Sequence, residues 1–149
     1  MVEHSNFMRE ALIEANKAKS FDEVPIGAVI VLNEKIIGRG FNSVIGQSDP
    51  SGHAEIIALR NAGRSLNNYR IPKASIYVTL EPCLMCLGAI FQARLEHVYF
   101  GAYDPKFQSC HSNHMLINNK IINHQTQATG GLLENQCGAL LKSYFKNKR

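Results

Sequence analysis

The stretch Thr79-Leu80-Glu81-Pro82-Cys83-Leu84-Met85-Cys86 constrains this chain more than any other. Val78 and Thr79 are strand formers. Pro82 turns the residue before it away from helix and is well tolerated where a helix begins. A strand therefore stops here and a helix starts. Cys83 and Cys86 stand three apart in the first helical turn, so both thiols share a face. The positive end of the helix dipole beside them favours thiolate over thiol. Two thiolates on one face make half of a soft-metal site and need further ligands. The best upstream candidate is His53-Ala54-Glu55, also at a predicted helix start.

The surrounding chain is that of an ordinary globular protein. Its 149 residues fit one domain, 1–149, and a chain of this size buries roughly 70% of its unfolded surface. No apolar run reaches the roughly 18 residues that span a bilayer, and Met1-Val2-Glu3-His4 is not a signal peptide. The expected compartment is the cytoplasm. There, four cysteines argue for a metal or catalysis rather than disulfides. A net charge of +4, from 16 Lys and Arg against 12 Asp and Glu, leans mildly towards a polyanionic partner.

Periodicity orders the rest. Phe7, Met8, Ala11, Leu12 and Ala15 recur at helical spacing, which predicts a helix over 5–18. Residues 26–32 and 35–41 read as strands joined by a tight Asn33-Glu34 turn. Gly46, Asp49, Pro50 and Gly52 make 42–52 a loop that delivers the chain to His53. A second helix is expected over 53–63, a third strand over 74–79, a third helix from Cys83 to about Leu95 and a fourth strand over 98–101. Lys120 to Gln127 reads as a fifth strand. Leu132 to Phe145 reads as the last helix, with Cys137 facing the core. Strands alternating with helices imply an α/β fold, a mixed five-stranded sheet layered between helices. The opening hairpin is antiparallel, and the later strand-helix-strand units should be parallel.

His53, Cys83 and Cys86 supply one imidazole and two thiolates, a set suited to tetrahedral zinc. Three protein ligands leave one position for water, whose pKa the metal lowers towards about 7. Glu55 stands two residues after His53, which on a regular helix faces another way. At a helix start its long side chain can still reach that water and shuttle a proton. Other readings stay open. Redox pairs and structural zinc sites also use Cys-x-x-Cys. A closed site would take its fourth ligand from Cys110, His111, His114 or Cys137 and would make a non-catalytic, zinc-stabilised RNA-binding module. Leu84 and Met85 read as packing residues. Arg60, Arg64, Arg70 and Lys73 read as a basic patch or as solvated helix ends.

His53-Ala54-Glu55 with Pro82-Cys83-Leu84-Met85-Cys86 matches the signature of the zinc-dependent nucleobase deaminases. Within that superfamily the chain is most similar to the bacterial tRNA adenosine deaminases. The similarity takes in Val24-Pro25-Ile26-Gly27, Gly40-Phe41-Asn42, Asn68-Tyr69-Arg70, Phe100-Gly101-Ala102 and Tyr144-Phe145-Lys146. It implies a cytidine-deaminase-like, three-layer α/β/α fold, and one zinc per subunit on His53, Cys83 and Cys86. It also implies conversion of the wobble adenosine of a tRNA anticodon stem-loop to inosine. By that mechanism Glu55 deprotonates a water on the zinc and protonates the adenine ring, hydroxide attacks C6, and ammonia leaves. Asn42 would bond the flipped nucleoside, although a loop Asn also caps turns. Ala54 and Ile26 would line the base pocket. Asp104, Lys106 and Phe145 would touch RNA, and the protein would be a homodimer. Deamination of a free base or nucleoside, such as guanine or cytidine, is the alternative within the class. The chain departs from the family at Phe107-Gln108-Ser109-Cys110-His111-Ser112, where a small glycine-rich loop is usual, and at Ser43-Val44. Both lie near the expected RNA surface.

Overall fold

A computed structural model describes residues 3–106, 108–110 and 124–148. In chain order it builds α1 (His4–Ser20), β1 (Gly27–Leu32), β2 (Lys35–Phe41), α2 (Ala54–Leu66), β3 (Ser75–Leu80), α3 (Leu84–Gln92), β4 (His97–Ala102), β5 (Gln127–Thr129) and α4 (Glu134–Asn147). The helix ends follow local chemistry. α1 closes where Asp22 turns left-handed (φ 60°) and Glu23 N donates to Ala18 O at 3.0 Å. α2 closes the same way at Asn67, with Asn68 N on Gly63 O at 3.0 Å. Asn33 and Glu34 both take positive φ, the two-residue turn that matches hairpin twist.

The five strands form one sheet in the order β2-β1-β3-β4-β5. β1 pairs antiparallel with both β2 and β3, while β3, β4 and β5 pair in parallel. The chain through α2 thus returns in the direction of β2 but steps over β1. The chain through α3 places its two strands side by side, as expected. Ile30 faces Gly38 and Val31 faces Ile36, so Ile37 is a bulge.

Alternation along the strands makes two cores. Ala28, Ile30, Ile76, Val78, Val98 and Phe100 pack on Ala54, Ala58 and Ala62 of α2 and on Leu87, Ile90 and Phe91 of α3. Val29, Val31 and Tyr77 pack on Met8 and Ala11 of α1 and on Cys137 and Leu141 of α4. The result is the expected α/β/α layering. Cys137 is core, as read. No helix among the described residues is long and apolar enough to cross a membrane.

The fifth strand differs from expectation. Residues 120–123 lie outside the described residues, 124–126 are not strand, and the pairing begins at Gln127. His124 Nε2 and Thr126 Oγ1 both donate to Leu95 O at 2.8 Å. Side chains dock this segment, so the ladder starts late, opposite His97. α4 starts at Glu134 rather than Leu132 because Leu133 is left-handed (φ 53°), and α3 stops at Gln92 before a left-handed Arg94 (φ 62°).

Small residues set how closely α2 lies on the sheet. A Cβ on Gly40 would stand 2.4 Å from Ala54 O and 2.6 Å from Ala58 N; one on Gly38 would stand 2.5 Å from Ala58 O. The clashing atoms are backbone, so relief requires the helix to move. Gly40→Ala is expected to lower unfolding stability by about 1–3 kcal/mol, read as a lower urea midpoint at unchanged m-value. An unchanged midpoint would contradict this packing.

Candidate active site

The site is assembled at two helix starts. His53 is the residue before α2 and Cys83 the residue before α3. Both have extended backbone (φ −76° each, ψ 153° and 176°), and neither side chain caps its own helix. The two side chains are therefore turned out of their helices. His53 Nδ1 lies 3.5 Å from Cys83 Sγ and 3.5 Å from Cys86 Sγ, and the three ligand atoms all fall within 4.8 Å of one another. Tetrahedral zinc bonds of about 2.0 Å to nitrogen and about 2.3 Å to sulfur put N and S about 3.5 Å apart. The donor set and its spacing fit zinc.

The charges agree. Cys86 donates to Cys83 and holds the Cys83 thiol down at about 4, with His53 adding to the effect. Cys86 keeps the proton and is pushed far up, first by that same bond and then by burial. The bond with Cys83 raises His53. Cys83 is thus the readiest of the three to give up its proton, and a bound cation would displace the protons of Cys86 and His53 as well. Glu55 is 4% exposed, and burial pushes its carboxyl up to about 7. It reaches Cys86 as a hydrogen-bond partner. The spacing objection to Glu55 dissolves because His53 precedes the helix, so helical periodicity does not relate the two residues.

Three of the expected substrate residues form a linked group beside the cluster. Asn42 is buried, and its Oδ1 accepts from Ala54 N at 2.8 Å. Its backbone N donates to Ile26 O at 3.1 Å. Asn42 therefore holds the start of α2 with its oxygen, while its Nδ2 can donate to a ligand. Asp104 and Lys106 lie in one turn, with Lys106 N on Asp104 Oδ1 at 2.9 Å. Lys106 is on the surface. Phe145 is 49% exposed on α4, in the layer across the sheet from α2 and α3.

A closed metal site is not formed among the described residues. Cys137 sits on the far face of the sheet, and Cys110 lies against Ser109 and Glu81. His111 and His114 lie outside the described residues. Leu84 and Met85 are not packing residues: they are 52% and 39% exposed. Both sit on the side of α3 turned away from the sheet, which Cys86, Leu87 and Ile90 face. Arg60 lies 3.7 Å from Asp49, whose carboxyl the Ser51 hydroxyl and amide hold below its ordinary value.

Glu14, Glu23 and Glu81 are buried carboxylates to which the sequence assigns no role, and the last two hold loops. Glu23 accepts Ile45 N at 3.2 Å and Gly46 N at 2.7 Å, tying down the loop before His53. Glu81 accepts Asp104 N at 2.9 Å and Cys110 N at 2.7 Å. For these two the available signal was an acidic residue set against an apolar strand and a proline.

Comparison with known proteins agrees with this geometry. The family described as the cytidine and deoxycytidylate deaminase zinc-binding region matches residues 1–102. A tRNA-specific adenosine deaminase of Haemophilus influenzae is 44% identical over 143 residues, 95% of this chain and 83% of that protein. A structure from studies of A-to-I editing by tRNA:A34 deaminases at the wobble position superposes with a TM-score of 0.88. It is 41% identical, over 92% of this chain and 99% of that one. A guanine deaminase from Bacillus subtilis gives a TM-score of 0.66 at 38% identity, over 68% of this chain and 66% of that one.

The purified protein is expected to hold one zinc per chain. His53→Ala or Cys83→Ser should lower that stoichiometry severalfold, and Cys110→Ser should leave it unchanged, by elemental analysis. Retention of zinc by both ligand variants would contradict the assignment.

Proposed function

The chain belongs to the cytidine and deoxycytidylate deaminase family, and we propose that it converts the wobble adenosine of a tRNA anticodon to inosine, releasing ammonia. One observation carries the reading: His53, Cys83 and Cys86 converge beside a buried Glu55. That site lies in a chain similar to tRNA adenosine deaminases along nearly all its length. Sequence identity rather than fold favours tRNA over a free base: a guanine deaminase of Nitrosomonas europaea superposes over 97% of this chain too, but at 21% identity against 41% for the tRNA:A34 deaminase structure.

His53, Cys83 and Cys86 would hold a zinc ion, which would supply the Lewis acidity that makes water a nucleophile at neutral pH. Glu55 takes a proton from the attacking water and delivers it to the adenine ring nitrogen, making C6 a better electrophile; it then passes the remaining hydroxyl proton to the amino nitrogen, which leaves as ammonia while C6 becomes a carbonyl. Its burial suits the task, because a carboxyl near neutrality both takes and gives a proton. Asn42, its oxygen engaged by Ala54, offers Nδ2 to the nucleoside. Ile26 and the backbone of Ala54 border the base. Asp104, Lys106 and Phe145 contact the anticodon stem-loop, where an unpaired base can be splayed out. The reaction is placed in the cytoplasm, with its RNA.

The working form is a homodimer. α3 turns Leu84 and Met85 outward, and a Cβ on Gly88 would meet nothing within 4 Å. Further along α3, Ala89 lines a groove against α2 that joins apolar Ile56, Leu59 and Tyr69 to polar Arg60, Arg64 and Gln92. A glycine amid a helix costs stability, and a second copy seated closely on this face gives it a use. Gly88→Arg is expected to shift the protein towards monomer in analytical ultracentrifugation; an unshifted dimer would rule out this face.

The function itself is tested with an anticodon stem-loop carrying the wobble adenosine. The wild type should produce inosine. Glu55→Gln should keep zinc and fold but lose about 10²–10⁴-fold in rate. Turnover of free guanine with the stem-loop untouched, or an active variant, would refute the proposal.

A further inference from the structure

Glu81 is 2% exposed and lies two residues before the first cysteine ligand, yet it is absent from the ligand cluster. Its carboxylate instead holds both ends of one loop. Oε1 accepts from Asp104 N at 2.9 Å and Oε2 from Cys110 N at 2.7 Å. Its own N–H donates to Ala102 O at 2.9 Å, the last residue of β4. Next in the chain, Pro82 O accepts from Ser109 Oγ at 2.6 Å. Among the described residues, these four bonds join Ala102, Asp104, Ser109 and Cys110 to the two residues that lead into Cys83.

Inside the loop, Asp104 Oδ1 accepts Lys106 N and Asp104 O accepts Gln108 N. Gln108 is left-handed (φ 51°), a conformation a non-glycine residue holds only when its surroundings impose it. Charge-assisted bonds from a buried carboxylate are strong enough to impose it. An apolar residue at position 81 would orphan two main-chain donors.

We propose that Glu81 is a positioning residue for substrate: it fastens the loop that carries Asp104 and Lys106 to the turn that carries Cys83, so that the RNA-contacting loop and the metal turn move as one body. The inference rests on the tRNA deaminase reading above. Glu81 touches neither the base nor the metal. Its contribution is to recognition, set by the place of the loop, and not to the proton transfer done by Glu55.

Glu81→Gln keeps the size but offers one acceptor oxygen where two amides need one each. With the anticodon stem-loop as substrate, KM is expected to rise about tenfold. The kcat at saturating RNA should stay within twofold of wild type, and zinc should stay at one per chain. Hydrogen exchange at the Asp104 and Cys110 amides should accelerate while α2 and α3 amides keep their protection. An unchanged KM, or a fall in kcat with KM unchanged, would overturn the proposal. Should Glu81→Gln lose zinc or fail to fold, Ser109→Ala loosens the same loop without touching the carboxylate. A raised KM there supports the proposal and an unchanged one overturns it. If the wild type leaves the stem-loop untouched, the functional reading has failed, and amide exchange alone still decides whether Glu81 holds the loop.

Discussion

Everything at this site depends on two helix N-termini meeting over one end of the sheet. A ligand set drawn from residues thirty apart converges only if both helix starts are fixed from outside. For α2, Asn42 Oδ1 takes the Ala54 amide and Gly40 lets Ala54 lie against β2. For α3, Pro82 ends the strand and Cys83 begins the helix, so the position of β3 sets the position of the thiol. The sheet order places β3 next to β1, whose other neighbour β2 carries α2. The topology thereby brings His53 to Cys83 and Cys86 without any contact unique to the ligands.

Buried carboxylates show how one residue type serves different ends. Glu14 is buried on α1 and meets Lys17 at 2.9 Å and Arg39 at 3.2 Å, an ion-pair solution. Arg39 bridges on to Glu10 and is itself raised, mainly by that bond. Glu23 and Glu81 are satisfied by pairs of main-chain amides and fix loops on either side of the cluster. Glu55 is the exception: burial outweighs its local bonds and pushes its carboxyl up towards neutrality. A group left under-solvated beside a metal cluster is suited to exchange protons, whereas the other three are suited to hold still.

Much of this was legible in the sequence, because the informative features are local. Pro82-Cys83 and Asn33-Glu34 encode their turns directly, and the unbroken apolar, β-branched run Val29, Ile30 and Val31 reads as a buried strand. The ligand triad was legible because helix starts have a signature and the cysteines lie within one turn. What escaped depends on tertiary contact. The strand at Gln127–Thr129 has little apolar character of its own and forms because His124 and Thr126 are pinned to Leu95 O. The apolar signal of this stretch lies at Ile121 and Ile122, outside the described residues. Leu84 and Met85 looked like core because they are apolar, but the helix turns Cys86 and Leu87 inward and leaves them out. The setting of Glu23 and Glu81 near a proline marks them, but not their partners, since those are amides more than twenty residues away. Asn42 was read both as a cap and as a substrate ligand, and its geometry joins the two: the oxygen is committed to α2 and the amide nitrogen is not.

The account turns on a zinc held by one imidazole and two thiolates, with its remaining coordination supplied by a light atom from solvent or substrate. X-ray absorption at the zinc edge on the purified, full-length protein reads that shell directly. The expected spectrum fits two sulfur scatterers at about 2.3 Å and two nitrogen or oxygen scatterers at about 2.0–2.1 Å. A shell of three or four sulfurs, or an edge showing no zinc bound to the protein, would contradict it.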